Sequence, residues 1–542
     1  MKHIAENIRL KDTRVSPTET AILEHSIPDA WPSGIERELQ RLDCVARNSV
    51  NKRLDLRELP FITIDGADAR DFDDAVYAHS ELGGWKLWVA IADVSYFVQP
   101  DSVLDKVAYN RGNSVYFPDR VVPMLPEVLA DDLCSLRQGE DRFSLACEIE
   151  INIDGSIQDW RFHEATICSH ARLTYDAVGT YLGTGRTEEL NDFPLEVLKN
   201  LDSLMGVYQS LVAGRNKRGS VDFEFSEAKM EYTKEGRIQN IRAVARNDAQ
   251  RLIEECMLAA NVCAARVLEE KHGGTLYRIH EAPATEDVVN LGRLLSGFGL
   301  TLGKGRSPTA GDYSDTLIAA RAKKDVPIEM LQAMMLRSMR QAAYSSTKGP
   351  HFALGYPVYT HFTSPIRRYP DLVVHRLLKQ EFGWGKRNKG KAVDLEGVAN
   401  HCSFTDRRAE IAVRDVLQWL KAEFMQDKVG QAFLGMVSGV TEFGVFVQLL
   451  NYLIDGLVHV SELGEEYFGF DPLRQELIGS GSGRKIRLGD RMKVIVARVD
   501  LNQGRVDFLP QDDREVRQPG KGRRRVKRRS ARSQFARDQG SA

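Results

Sequence analysis

From about residue 60 onward, apolar side chains recur in two rhythms. Runs such as "FITI" (61–64), "KLWVAIADV" (86–94) and "FSLACEIEINIDGSI" (143–157) alternate or run on as half-buried and buried strands do. "EVLKNLDSLMGVYQSLVAGRNKRG" instead repeats its apolar positions at helical spacing. The mixture reaches at least "HRLLKQEF" near residue 382 and predicts one large α+β unit. "GWGKRNKGKA" then reads as a flexible basic loop. Residues 393–427 place Val398, Cys402, Ile411, Val416, Trp419, Leu420 and Phe424 at helical intervals among charges, which predicts one or two amphipathic helices. Beyond Gly430 the texture changes to short β runs with glycine turns, and five strands in about 80 residues predict a small barrel of the oligonucleotide-binding type. No internal repeat is visible. The chain therefore divides into a polar connector (1–58) with a helix near "SGIERELQRL", a catalytic-sized α+β domain (59–428), an all-β barrel (429–510) and a tail (511–542).

Composition changes this picture in two places. The seven cysteines are odd in number and lack any C-x-x-C pair, so a reduced, cytoplasmic setting is expected and no disulfide framework or zinc site is. The start has no apolar signal segment, and the greasiest stretch, "FGVFVQLLNYLIDGLVHV", is interrupted by Gln448, Asn451 and Asp455, which argues against a membrane span. The net charge of −2 hides an asymmetry: residues 514–537 carry eleven Lys/Arg against Glu515 alone, a local +10 that leaves −12 on the rest. Such a tail is expected to be disordered and to bind polyphosphate, or to act as a solubilising or targeting segment.

The densest chemistry lies in "TIDGADARDFDDAV", where Asp65, Asp68, Asp71, Asp73 and Asp74 fall between residues 63 and 76. Like carboxylates at contact distance raise one another's pKa, and a divalent cation relieves this. Oxygen ligands without a nearby His or Cys select Mg²⁺ or Mn²⁺ over zinc. An EF-hand register counted from Asp65 fails, with Arg70 where glycine is needed and Val76 where glutamate is. A solvated acidic turn is the plain alternative, but Phe72, Ala75 and Val76 interleave with the acids and point to partial burial, which unpaired carboxylates do not tolerate. Two ions a few ångströms apart would suit phosphodiester cleavage.

Eight motifs in order carry a resemblance: "TIDGADARDFDDAV", "AIADVSYFVQP", "RGNSVYFPDRVVPMLPE", "LCSL", "SHARLTYDAV", "NDAQRLIEECMLAAN", "HFTSPIRRYPDLVVHR" and "GLVHVSEL". Over roughly residues 55–510 the chain resembles the ribonuclease II superfamily, the RNB family, and within it the ribonuclease R type. The resemblance implies a processive, Mg²⁺-dependent 3′-to-5′ exoribonuclease that releases nucleoside 5′-monophosphates. The family's metal acids fall on Asp65, Asp71, Asp73 and Asp74, with steps of six, two and one retained, and Asp73 is the one whose neutralisation should be most damaging. Asp68 falls on a polar spacer. Tyr116 and Phe223 match the aromatic pair that stacks on bases at the 3′ end, each with a core-aromatic alternative. Tyr175 matches a tyrosine that holds the strand near the cleavage point. Glu254 matches a glutamate at the terminal nucleotide, with Glu255 about a quarter-turn away on the helix and structural. Arg367 matches an arginine that offsets growing phosphate charge. Chemistry alone would accept Arg368 equally, and an ion-pair role is open to both. The barrel resembles an S1 domain, with Phe443, Phe446 and His459 at positions from which that fold offers rings to RNA. Core packing competes for Phe446, and a structural histidine for His459.

Members of this type carry two cold-shock-type barrels ahead of the catalytic domain, and about 58 residues cannot hold them, so most of that region is expected to be missing. The expected partners are single-stranded RNA, RNA 3′ ends and structured RNA, with ribosome or RNA-decay partners, for a monomer in the cytoplasm with no membrane association. A catalytically silent RNA-binding or ribosome-associated protein is the rival reading, and an endonuclease or DNA nuclease a third.

Overall fold

Runs of apolar residues punctuated by turns make one curled sheet. The structure, a computed structural model, describes residues 16–46, 53–185, 193–233, 238–384 except 304, 306 and 325, and 393–511 except 473. Strands β1 (Leu54–Asp55), β2 (Phe61–Asp65), β3 (Asp74–Glu81) and β4 (Gly84–Ala92) come first. A small hairpin, β5 (Val115–Tyr116) and β6 (Val121–Val122), precedes β7 (Asp141–Asn152) and β8 (Ile157–Thr174). The sheet order is β1-β8-β2-β3-β4-β7, with β8 also pairing β7. The long β8 does both jobs: Ile157–Cys168 run antiparallel to β7, and from Ser169 the strand runs parallel to β2. The sheet is thereby rolled around its apolar face, where Phe61, Ile62, Leu87 and Ile91 are fully buried.

A helix, Asp248–Val267, shares this core. Asn247 and Gln250 form a capping box that fixes its start, and burial on nearly all sides suits its run of Ala, Cys and Leu. The Leu195–Arg218 helix packs on β3 and β4. Its Asn200 accepts from Ala78 N–H and donates to the Pro60 and Val76 carbonyls at 2.9 and 3.2 Å, stitching helix to sheet. Gly206 on the same helix lies so close to Trp85 that a Cβ would sit 2.2 Å from Cζ2.

Three further helices, Thr285–Gly297, Ala310–Arg321 and Ile328–Arg337, make a unit with its own core around Leu295, Tyr313, Leu317, Leu331 and Met335. Sequence periodicity had merged this unit with the main domain, since helix spacing does not say which face meets which core. The 393–427 segment is one helix, Leu395–Gln426, and the N-terminal Pro17–Glu24 helix packs along it. The closed barrel has the expected five strands, Ala432–Thr441, Gly444–Leu449, Ile454–His459, Arg491–Asp500 and Arg505–Pro510. A three-stranded insertion, Phe468–Asp471, Glu476–Gly479 and Lys485–Arg487, interrupts it. The six described cysteines are free, and no helix of the described residues is long and apolar enough to cross a membrane. Most of the basic loop expected after Trp384, and the basic tail, lie outside the described residues.

Candidate active site

The acidic stretch leaves the sheet at the end of β2 and rejoins it at the start of β3, so Asp65 and Asp74 are fixed by the ladder while Asp71 and Asp73 ride the loop between. Phe72 anchors that loop in the core. Ser135, from "LCSL", accepts from Phe72 N–H at 3.0 Å and donates to the Arg70 carbonyl at 2.7 Å. Arg172 reaches the Ala67 carbonyl at 2.6 Å. Neither Ser135 nor Arg172 was singled out in the sequence; both lie inside recognisable motifs, but nothing in the residue types says that they brace a loop. Asp68 is exposed at its tip, as a spacer should be.

Asp73 is 4% exposed, and its Oδ1 accepts from Ile366 N–H at 2.8 Å. Its Oδ2 is buried without a hydrogen-bond partner, 3.4 Å from Arg367 Nε. Burial pushes the Asp73 carboxyl well up; Arg367 and the Ile366 N–H oppose the rise, and Asp71 and Asp74 add to it. Burial, then Asp65, carries Asp74 up to about 7 against the pull of Arg367. Asp65 is also raised, by burial first, with Gly66 N–H opposing and Asp71 adding. These acids occupy one field, and a cation there would relieve their repulsion. Among the described residues no three acidic, histidine or cysteine side chains converge tightly enough to ligate an ion unaided. Asp73 Oδ2, which takes no hydrogen bond and lies 3.4 Å from Arg367 Nε, is a hard oxygen of the kind a Mg²⁺ or Mn²⁺ ion accepts beside substrate phosphate and water. The four acids that the resemblance gives to a metal, Asp65, Asp71, Asp73 and Asp74, lie on the end of β2, the loop and the start of β3, and Asp65, Asp73 and Asp74 each feel another of the four.

The two arginines separate cleanly. Arg367 is 45% exposed, lies beside Asp73 and donates to Ser364 Oγ at 2.9 Å. Arg368 turns inward and donates to Oδ1 of the fully buried Asp371 at 2.9 Å. Beneath them, buried Asp93 of "AIADVSYF" takes Arg53 at 2.6 Å and Lys379 at 2.7 Å. Burial raises the Asp93 carboxyl, and Lys379 and Arg53 together overturn this and hold it well below the usual range. Lys379 lies on the Tyr369–Phe382 helix that follows Arg367, so this pair ties the arginine segment to the acid-bearing sheet.

Tyr116, 44% exposed on the hairpin, donates from its OH to Asp71 Oδ2 at 3.0 Å. Burial and then Asp71 raise its phenol. Tyr175 stands on the other side: burial, then Asp65 and Asp74, raise its phenol as well. Glu254 belongs to an adjoining ion network. Arg246 donates to Glu254 Oε2 at 3.0 Å and to the Phe223 carbonyl at 2.9 Å, so one guanidinium joins two residues that the sequence could only treat separately. Glu255 is buried on Arg215 at 2.7 Å, in keeping with a structural role. The Phe223 ring stacks on Phe225, centroids 6.0 Å apart, and packs against the three-helix core.

In the barrel, Val445, Val447 and Val458 point inward, and the intervening Phe446 points out. Phe443 is 46% exposed, edge-on to Phe446 at 6.1 Å. His459 is paired with Gly444 in the ladder and is exposed, with Nδ1 accepting from Ser461 N–H at 3.2 Å. The three lie on one outer face.

Residues 53–382 match the RNB domain and residues 426–509 the S1 RNA binding domain. Ribonuclease R of Escherichia coli (strain K12) is 44% identical over 516 residues, covering 93% of this chain and 63% of that protein. This chain thus spans less than two thirds of that relative's length. The structure of Mycoplasma genitalium RNase R in complex with ribose methylated single-stranded RNA aligns with TM-score 0.85 and 28% identity, covering 91% of this chain and 77% of that one. Yeast Ssd1, a pseudonuclease, aligns with TM-score 0.63 and 20% identity over 80% of this chain and 53% of its own, a likeness of fold alone.

Proposed function

The chain belongs to the RNB family, and from that premise we propose that it is a hydrolytic exoribonuclease that shortens RNA from the 3′ end to nucleoside 5′-monophosphates. The observation that carries the proposal is the buried Asp73 Oδ2, which takes no hydrogen bond, set among three more aspartates and 3.4 Å from Arg367. Nothing in RNA binding alone calls for an anionic pocket, which repels phosphate. When bound there, one or two divalent cations, Mg²⁺ or Mn²⁺, would activate water and offset charge on the phosphate.

The chain's own residues supply the rest of the mechanism. Tyr116 and Phe223 hold the terminal bases by stacking, which accepts any base because every base has a π-face. Tyr175 fixes the strand beside Asp65 and Asp74. Glu254 takes the terminal nucleotide. Arg367, 45% exposed and held only by a long 3.4 Å contact to Asp73 and a hydrogen bond to Ser364, offers its guanidinium to the phosphate as water adds to phosphorus and the upstream 3′ oxygen leaves. Phe443, Phe446 and His459 grip RNA upstream on the barrel face. Structured RNA as substrate, ribosome or RNA-decay partners, a monomeric state and a cytoplasmic setting extend the same reading, supported by the likeness to ribonuclease R.

The test uses 5′-labelled single-stranded RNA with Mg²⁺. A ladder shortening from the 3′ end with release of mononucleotides is the expected result, abolished by chelation. Binding without mononucleotide release, in Mg²⁺ or Mn²⁺, would overturn the proposal in favour of a silent RNA-binding protein.

A further inference from the structure

The Tyr116 hairpin has two faces, and the one turned away from Asp71 is covered by the N-terminal segment. Val115, Phe117 and Val122 are buried with Ala21, Ile22 and Ile27 of residues 16–31 and with Ala409, Ala412 and Val416 of the long helix. Strand alternation then forces Tyr116, between Val115 and Phe117, to the opposite side, where its OH meets Asp71.

Polar contacts pin the same segment to the hairpin at both ends. The buried Thr18 donates from Oγ1 to Asp119 Oδ1 at the hairpin turn, at 2.5 Å. Asp29 pairs with Arg120 at 3.3 Å. Arg111, at the hairpin's root, donates to the Asp29 carbonyl at 2.9 Å and to the Pro123 carbonyl at 2.6 Å, with Trp31 stacked on its guanidinium at 3.8 Å. Just before the hairpin, Gly112 packs tightly on the long helix: a Cβ there would meet Thr405 Oγ1 at 2.0 Å. On its far edge, Ser114 N–H donates to the Arg367 carbonyl at 2.9 Å. The hairpin is thus wedged between the Arg367 segment and the N-terminal segment, with one aromatic ring emerging at the acids.

We propose that residues 16–31 act as a strap that positions Tyr116 over the RNA 3′ end, with Thr18 its principal positioning residue; the inference rests on the exoribonuclease reading of the site. The strap touches no substrate. It sets the tilt of the hairpin, and so whether the Tyr116 ring meets the terminal base while its OH stays on Asp71.

The test is a double-mutant cycle of Thr18→Val, which keeps the shape and removes the hydroxyl, with Tyr116→Ala, and Thr18→Ser as the conservative control. Thr18→Val should lower kcat/KM on single-stranded RNA roughly 5-fold, as expected for one lost hydrogen bond, and should shift the final product length in the direction that Tyr116→Ala does. Thr18→Ser should restore both. In the Tyr116→Ala background, Thr18→Val should change the rate by no more than about twofold. Hydrogen exchange reads the strap without any nuclease assay: in Thr18→Val the Phe117 and Ser114 amides should exchange faster while the barrel is unchanged. Unchanged exchange in the hairpin, or fully additive losses with an unshifted product length, would overturn the proposal. Should the wild-type chain release no nucleotide at all, the exoribonuclease reading fails by itself. The same cycle read as affinity for single-stranded RNA, together with the exchange, then decides the strap.

Discussion

Replacing each of the adjacent arginines by alanine should produce opposite phenotypes. In Arg368→Ala the fully buried Asp371 loses its ion pair at 2.9 Å and keeps only the Ser364 N–H at 2.8 Å. Removing one partner of a buried pair costs about 3–5 kcal/mol. At about 2 °C per kcal/mol for a large domain, the melting transition should fall by roughly 6–10 °C. Arg367 is 45% exposed, and its pair with Asp73 is long at 3.4 Å, so its removal should move the melting point by no more than about 2 °C. Its loss should instead lower the rate of nucleotide release about 10²- to 10³-fold, the usual cost of deleting a group that offsets transition-state charge. Thermal melts of both variants, with single-turnover rates at saturating RNA, make the comparison. A stable, inactive Arg368→Ala beside a fully active Arg367→Ala would refute the assignment.

Three more outcomes follow from the packing. Asp93→Asn leaves Lys379 and Arg53 with only the less buried anion Glu164, at 3.3 and 3.5 Å, and should destabilise the catalytic domain by about 2–4 kcal/mol in a denaturant melt, with the barrel transition unmoved. Gly206→Ala drives a methyl into Trp85 and should cost about 1–3 kcal/mol, recovered in part by a smaller residue at 85. Phe446→Ala on the exposed barrel face should weaken binding of long single-stranded RNA by about 1–3 kcal/mol, leaving the melting point and the rate on bound RNA unchanged.

Much of this was legible in the chain, for identifiable reasons. Alternation in "KLWVAIADV" and glycine-bounded runs after Gly430 are local signals, and the β4 strand and five-stranded barrel followed them. The interleaving of Phe72, Ala75 and Val76 with the acids implied a partly buried segment, and the structure buries Asp73 and half-buries Asp65, Asp71 and Asp74, because apolar neighbours pull a loop inward. What stayed hidden depends on distant partners. Arg367 and Arg368 are chemically alike in sequence, and only Asp371 and Asp73 tell them apart. The outward direction of Phe446 needed the register that puts Val445 and Val447 inside. Ser135 and Arg172 act on carbonyls some 65 and 105 residues away, respectively, contacts to which no spacing rule points. The three-helix unit and the barrel's small inserted sheet were likewise invisible, since periodicity reports an element but not the core it joins.

Asp73→Asn tests the central claim most directly. Asparagine keeps the shape and the acceptor for Ile366 N–H while removing the charge beside Arg367. With 5′-labelled single-stranded RNA and Mg²⁺, the variant should melt no lower than the wild type, bind RNA as well, and release mononucleotides on the order of 10³-fold more slowly. A variant that digests RNA at the wild-type rate would contradict the account.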